Sequence, residues 1–301
     1  MAQTNESEWK GKTRGGSFGY RFFILLIKGL GIRAAYGFLC LVVVYFIPFA
    51  PKATKASWQY ARRRLHYNRL RSIGFLFRNY YRFGQTLIDK VAIRSGKTKD
   101  YHFDFGTHYD EFLQLLNSEQ GVILIGAHVG NWEIGAPFFD DYGKRMHIVM
   151  YDAEYQKIKE ILEQNMEGGG YQVIPVNEDN LTHVFRISDA LNRKEYVCFQ
   201  GDRFTQGAQT LQAPFLGTNA SFPAGPYLLA SRLRVPVVFY FALREKGMRY
   251  SFNFVLADAP PAENKRGKQE TVLLTQYIEA LEAILEKHPE QWFNYYDFWK
   301  V

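Results

Sequence analysis

The segment Gly121-Val-Ile-Leu-Ile-Gly-Ala-His-Val-Gly-Asn-Trp-Glu133 frames the reading of the whole chain. Its apolar run, Val122 to Ala127, reads as a buried strand. The strand delivers His128 into a turn containing Gly130, and Glu133 follows five residues on. A histidine at a core strand end, beside a carboxylate brought back by a turn, is a natural general base. The imidazole takes the proton, and the carboxylate fixes its tautomer and stabilises the imidazolium. Residues five apart on a continuous helix do not share a face, so the pairing needs the turn. Gly130 permits that backbone, and Asn131 suits the N-cap of a helix beginning at Trp132. Pro137 limits how regular such a helix is. The alternative is a hydrogen-bonded histidine at a strand end with no catalytic part.

Outward from this segment, strand-like and helix-like stretches alternate. Strands are predicted at 122–127, 147–151, 172–176, 196–200, 235–243 and 250–256. Helices are predicted at 109–116, 154–166, 181–192, 225–232 and 271–287, the last with Leu274, Tyr277, Leu281 and Ile284 on one face. This alternation predicts a layered α/β domain with a mainly parallel or mixed central sheet. Sites in such folds gather at the carboxyl ends of strands. His128 and Asp202 each stand just past one, so residues distant in sequence have a place to meet.

The N-terminal third is different. Residues 1–90 carry 16 Lys/Arg against Glu6, Glu8 and Asp89, a net of +13, while the remainder is net −6. A basic module on a mildly acidic body seeks anionic partners: lipid headgroups, nucleic acid or an acidic protein. The 17 residues from Ala34 to Ala50 carry no charge, a length at the lower edge for a spanning helix. The run lies too far from the N-terminus for a cleaved signal peptide, and both flanks are basic: Lys28 and Arg33 before, Lys52 and Lys55 after. A helix lying in one leaflet, or a short anchor, fits better than a simple span; a buried core helix is the alternative. Ile73, Leu76, Tyr80, Phe83 and Leu87 recur at helical steps among arginines 62–64, 69, 71, 78 and 82. That pattern suits a helix against anionic lipid, or equally one packed on the body. A nucleic-acid binder explains the basic third but not the apolar run within it.

Other chemistry finds little support. Cys40 and Cys198 lie in apolar surroundings and read as packing residues. His102 and His108 near Asp104 and Asp110 are too loose for a metal site. No Walker A loop or Gly-x-Ser-x-Gly elbow occurs, and Gly168-Gly169-Gly170 lacks a dinucleotide-loop context. Neither metal nor other cofactor is expected. Asp202-Arg203 is a second candidate site, with a structural ion pair as the alternative. Arg203 suits a phosphate or a developing negative charge, and Asp202 suits orienting Arg203 or the acceptor.

His128-Val-Gly-Asn-Trp-Glu133 resembles the His-x4-Asp/Glu motif of the bacterial lipid A late acyltransferases, the lauroyl/myristoyl transferases. Two further blocks are similar to that family and keep its order. One is Gly201-Asp202-Arg203, Ala213-Pro214-Phe215-Leu216-Gly217 and Phe222-Pro223-Ala224-Gly225-Pro226; the other is His288-Pro289-Glu290-Gln291-Trp292-Phe293. The resemblance implies a membrane-associated O-acyltransferase over residues 56–301, preceded by a basic membrane-associating segment, residues 1–55. It implies His128 and Glu133 as catalytic residues, and Asn131, Asp202 and Arg203 as substrate-binding ones. It implies an acyl carrier protein as donor, and as acceptor a hydroxyl of a lipid A precursor at the cytoplasmic face of the inner membrane. Another lipid acceptor, such as an aminolipid, a glycolipid or a polyene, is an alternative, as is a non-catalytic membrane-binding protein. The chain departs from the family in 155–166, where only Lys157 and Lys159 are basic and relatives carry an arginine-rich helix.

Overall fold

The computed structural model describes residues 16–106, 108–135, 142–151, 171–176, 181–204, 207–258 and 269–299. The expected helix at 154–166, the triglycine at 168–170 and Pro137 lie outside them.

Seven strands form one sheet: β1 (His102–Asp104), β2 (Val122–Gly126), β3 (Met146–Tyr151), β4 (Tyr171–Val176), β5 (Tyr196–Gln200), β8 (Val237–Arg244) and β9 (Arg249–Leu256). Their order is β1-β9-β8-β2-β5-β3-β4. From β8 to β4 neighbouring strands are parallel; β9 runs antiparallel to β8, with β1 parallel to β9. This is the mixed, mainly parallel sheet that the alternation predicts. Helices α5 (Tyr109–Leu116), α6 (Thr182–Asn192), α7 (Ala224–Leu233) and α8 (Gln269–Lys287) fall within two residues of their predicted bounds. A hairpin, β6 (Thr210–Phe215) and β7 (Thr218–Pro223), stands apart as a two-stranded sheet. Its turn residues Leu216 and Gly217 both have positive φ, 48° and 78°, the twist that joins strands through two residues.

The central strands read as continuous apolar runs because both sheet faces are covered. Ile123, Ile125, Val197, Phe199, Phe239 and Phe241 face one core with α6, α7, α8 and the hairpin. Their neighbours Val122, Leu124, Tyr196, Cys198, Val238 and Tyr240 face a second core shared with α5 and the N-terminal helices. Burial pushes the Cys198 thiol up to about 12, so it has no nucleophilic use near neutral pH.

Those N-terminal helices are α1 (Gly16–Leu30), α2 (Ile32–Phe49), α3 (Pro51–Gln59) and α4 (Arg69–Arg94). The charge-free run forms most of α2, which is long and apolar enough to cross a membrane. One stripe of it, Ile32, Ala35, Leu39 and Val43, is buried. At Gly84 of α4 a Cβ would fall 2.4 Å from Leu39 Cδ1, so glycine sets how closely the two helices approach. The opposite stripe is open: Leu41 and Val44 are 68% and 62% exposed, and Leu25 of α1 is 71% exposed. The amphipathic stripe expected on α4 is divided. Leu76 and Tyr80 are buried against the body, while Ile73 and Leu87 face outward. Much of that stripe is therefore core, because α2 and the C-terminal segment cover it: Tyr80 meets Phe46 edge to face and stacks on Tyr295.

Candidate active site

β2 and β5 are parallel neighbours in a register that aligns Gly126 with Gln200. Their carboxyl ends therefore emerge side by side, and the residues just beyond them meet across 74 positions of sequence. His128 Nδ1 lies 2.8 Å from Asp202 Oδ1, and the His128 backbone N–H donates to Asp202 Oδ2 at 3.0 Å. Trp292 Nε1–H donates to the same Oδ2 at 3.1 Å. Three donors thus converge on one carboxylate that is 1% exposed. Burial alone raises its pKa, but the charge and hydrogen bond of His128, with help from Arg203, carry it below the ordinary carboxylate value. Asp202 is therefore ionised and accepts only. Nδ1 must carry a proton, which leaves the lone pair of a neutral imidazole on Nε2. Burial, and next the charge of Arg203, hold the His128 pKa below its usual value, against the opposing pull of Asp202. A quarter of the side chain remains open to solvent. The site thus offers an oriented, unprotonated base.

Backbone pairing fixes the turn that follows. Gly130 has φ 62°, and a Cβ there would fall 2.0 Å from the Ala242 carbonyl oxygen. Its N–H donates to the Gln291 carbonyl at 2.9 Å, and the Asn131 N–H donates to Ala242 at 2.7 Å. Of the helix expected from Trp132, the described residues show a 3₁₀ turn, Trp132–Gly135. The Asn131 side chain is held from its amide nitrogen. It is buried, and its amide donates at 3.3 Å to the Thr86 carbonyl and to the Tyr250 hydroxyl.

Glu133 sits in that 3₁₀ turn, where Lys90 Nζ of α4 lies 2.7 Å from its Oε1. The group that fixes the histidine tautomer is Asp202, a part the sequence reading gave to Glu133. Arg203 donates from Nη2 to the Phe293 carbonyl at 2.6 Å. The Phe293 N–H in turn donates to the His128 carbonyl at 2.9 Å. The C-terminal motif therefore closes over the strand ends. Gln291 makes a two-way contact with the Arg244 backbone, 2.9 Å in each direction. Asn79 of α4 donates to the carbonyls of Glu290 and Trp292, both at 3.0 Å.

Beneath the turn lies a polar cluster that the sequence reading missed. Asp89 is fully buried and receives Arg244 Nε at 2.8 Å, Tyr250 at 2.5 Å and Tyr101 at 2.9 Å. Tyr36 of α2 donates to it as well. Tyr250 also receives the Asn131 amide, so one hydrogen-bonded chain runs from α2 through Asp89 to the turn after His128. A signal existed: Asp89 is the one acid among residues 9–90, placed in an otherwise basic and apolar stretch.

The bacterial lipid A biosynthesis acyltransferase family model matches residues 61–301. No curated protein matches the chain.

Proposed function

Because the chain belongs to the bacterial lipid A biosynthesis acyltransferase family, we propose that it moves a fatty acyl group from an acyl carrier protein thioester to a hydroxyl of a lipid A precursor. The hydrogen-bonded pair of His128 and Asp202, with the imidazole partly open, carries this reading. Nε2 of His128 takes the acceptor hydroxyl proton as the oxygen attacks the thioester carbonyl. The imidazolium that forms is stabilised by Asp202, the pairing that general-base catalysis needs. Arg203 and backbone N–H groups stabilise the oxyanion. The tetrahedral intermediate collapses to an ester, and the carrier thiol leaves with the proton from His128. Glu133 holds Lys90, whose charge helps keep the His128 pKa low and the base unprotonated. Asn131 supports the turn from below. No metal or nucleotide enters this scheme.

The membrane-facing part is residues 1–55 together with the outer side of α4. Leu25, Leu41, Val44 and Ile73 are open apolar side chains in a segment rich in basic residues, which suits the cytoplasmic leaflet of the inner membrane. Exposed arginines 62, 69 and 71 suit encounter with an acidic carrier protein. The test is acyl transfer by the purified protein from acylated carrier protein to a lipid A precursor, read by mass spectrometry. The proposal expects one added acyl group in ester linkage. No transfer to this acceptor, with transfer to an aminolipid or another glycolipid, would replace the acceptor assignment.

A further inference from the structure

We propose that a cavity sharing a wall with the active site binds the phosphate ester of one of the two substrates, through Arg63 and Arg64. The proposal rests on the acyl-transfer reading above and adds a subsite to it. The cavity has a volume of about 210 Å³; its lining includes Tyr60, Arg63, Arg64, Asn294, Asp297 and Trp299. Tyr296 also lines it, and its hydroxyl donates to the Asp202 carbonyl at 3.1 Å. One residue thus joins the cavity to the partner of the catalytic histidine.

Local backbone geometry builds the cavity. After α3 the helix widens into a π turn, Tyr60–Arg64, closed by Leu65 N–H donating to the Tyr60 carbonyl at 3.2 Å. Such turns are rare overall and frequent at functional sites. Here the turn directs two consecutive arginines and Tyr60 at one space. Arg62, between Ala61 and Arg63, instead donates to the Tyr67 carbonyl. The Arg64 guanidinium lies over the Trp299 ring at 4.4 Å and donates from Nη1 to Thr218. Its plane is therefore fixed, and its Nε is buried.

Three buried polar atoms around this cavity have no hydrogen-bond partner among the described residues: Arg64 Nε, Tyr60 Oη and Asn294 Oδ1. Asn294 and Tyr60 are only 7% and 5% exposed. A buried polar group left unmatched costs roughly 1–3 kcal/mol, so three on the residues of one cavity favour a polar ligand there. The lining carries two guanidiniums against the Asp297 carboxylate, a net charge of +1. Partial burial, and next the charge of Arg63, hold the Arg64 pKa below its usual value, with Asp297 opposing. An anion relieves that repulsion.

A fixed guanidinium edge beside a second arginine matches phosphate oxygens. Asn294 accepts from, and Tyr60 donates to, polar groups on the ester's organic part, while Trp299 supplies an aromatic face. Each substrate of the proposed reaction brings such an ester. The donor's thiol arm joins its carrier through a phosphodiester, and a phosphorylated glycolipid acceptor carries a phosphomonoester.

The full-length protein in neutral detergent micelles, with ¹⁵N-labelled indoles, tests this directly; Trp299→Phe identifies the Trp299 resonance. Probes are 4′-phosphopantetheine, glucosamine 1-phosphate, inorganic phosphate and, as a control, unphosphorylated pantetheine. The proposal expects at least one ester to shift the Trp299 resonance saturably, and pantetheine to leave it unmoved. The ester that saturates first identifies the substrate. Arg63 is exposed, so Arg63→Gln keeps the fold, with the other indole signals as the check, and it weakens ester binding roughly tenfold. Inorganic phosphate binding as tightly as either ester overturns the substrate assignment. A Trp299 signal unmoved by both esters, in protein that still transfers acyl groups, overturns the subsite and leaves the transfer reading standing.

Discussion

Asp202→Asn separates charge from shape at the catalytic pair, and the geometry fixes how it acts. Oδ2 receives two N–H donors, from the His128 backbone and from Trp292, whereas Oδ1 receives Nδ1 alone. An asparagine therefore places its carbonyl oxygen at the Oδ2 position and its NH₂ at the Oδ1 position. That NH₂ faces Nδ1 as a donor, so the favoured tautomer carries its proton on Nε2 and the base is lost. Hydrogen bonds to charged groups contribute about 1.5–3 kcal/mol, and the nascent imidazolium also loses its counter-charge. The combined loss corresponds to a fall in kcat of about 10²- to 10³-fold, or about 2.7–4 kcal/mol at 1.36 kcal/mol per decade. The assay pairs kcat for acyl transfer with ¹⁵N chemical shifts of the His128 ring in wild type and variant. The expected spectrum moves the proton from Nδ1 to Nε2 while the far-UV circular dichroism is unchanged. A variant that keeps Nδ1–H and wild-type kcat refutes the reasoning.

Three further outcomes follow from the same geometry. The unprotonated form of His128 is the active one, so kcat/KM falls as pH drops through its pKa; Arg203 lowers that pKa, and Arg203→Ala moves the acid limb of the pH profile to higher pH. Asp89→Asn leaves Arg244 with no carboxylate from that position in the buried cluster, and urea denaturation should show a loss of about 3–5 kcal/mol. Replacing the open Leu25, Leu41 and Val44 with Asp should abolish flotation with anionic vesicles while leaving the circular dichroism intact; undiminished flotation places the membrane contact elsewhere.

The layered sheet was legible because β2, β5 and β8 are buried on both faces, and continuous apolar runs record that directly. α8 was legible through its one apolar face. β1 has only three residues, too few to make a pattern, and the β6–β7 hairpin turns through Leu216-Gly217 and contains Pro214, which conceals a strand. His128 stood out as a polar residue at the end of an apolar strand. Asp202 stood out too, past a second strand end where the two can meet, but its part as the histidine's partner did not, because that link depends on β2 and β5 being parallel neighbours, a fact of topology and not of spacing. Glu133 was the nearer acid, yet the turn brings it to Lys90 on a helix 43 residues earlier. The π turn at Tyr60–Arg64 left no mark in the periodicity, so three arginines that look alike in sequence divide between a backbone contact and a cavity wall.

The most direct test of the central claim is the single-turnover rate of acyl transfer by His128→Ala, with ester product followed by mass spectrometry. If His128 is the general base, transfer falls at least about a hundredfold while the acylated carrier protein still binds with wild-type affinity. Transfer at the wild-type rate by the folded variant would contradict the account.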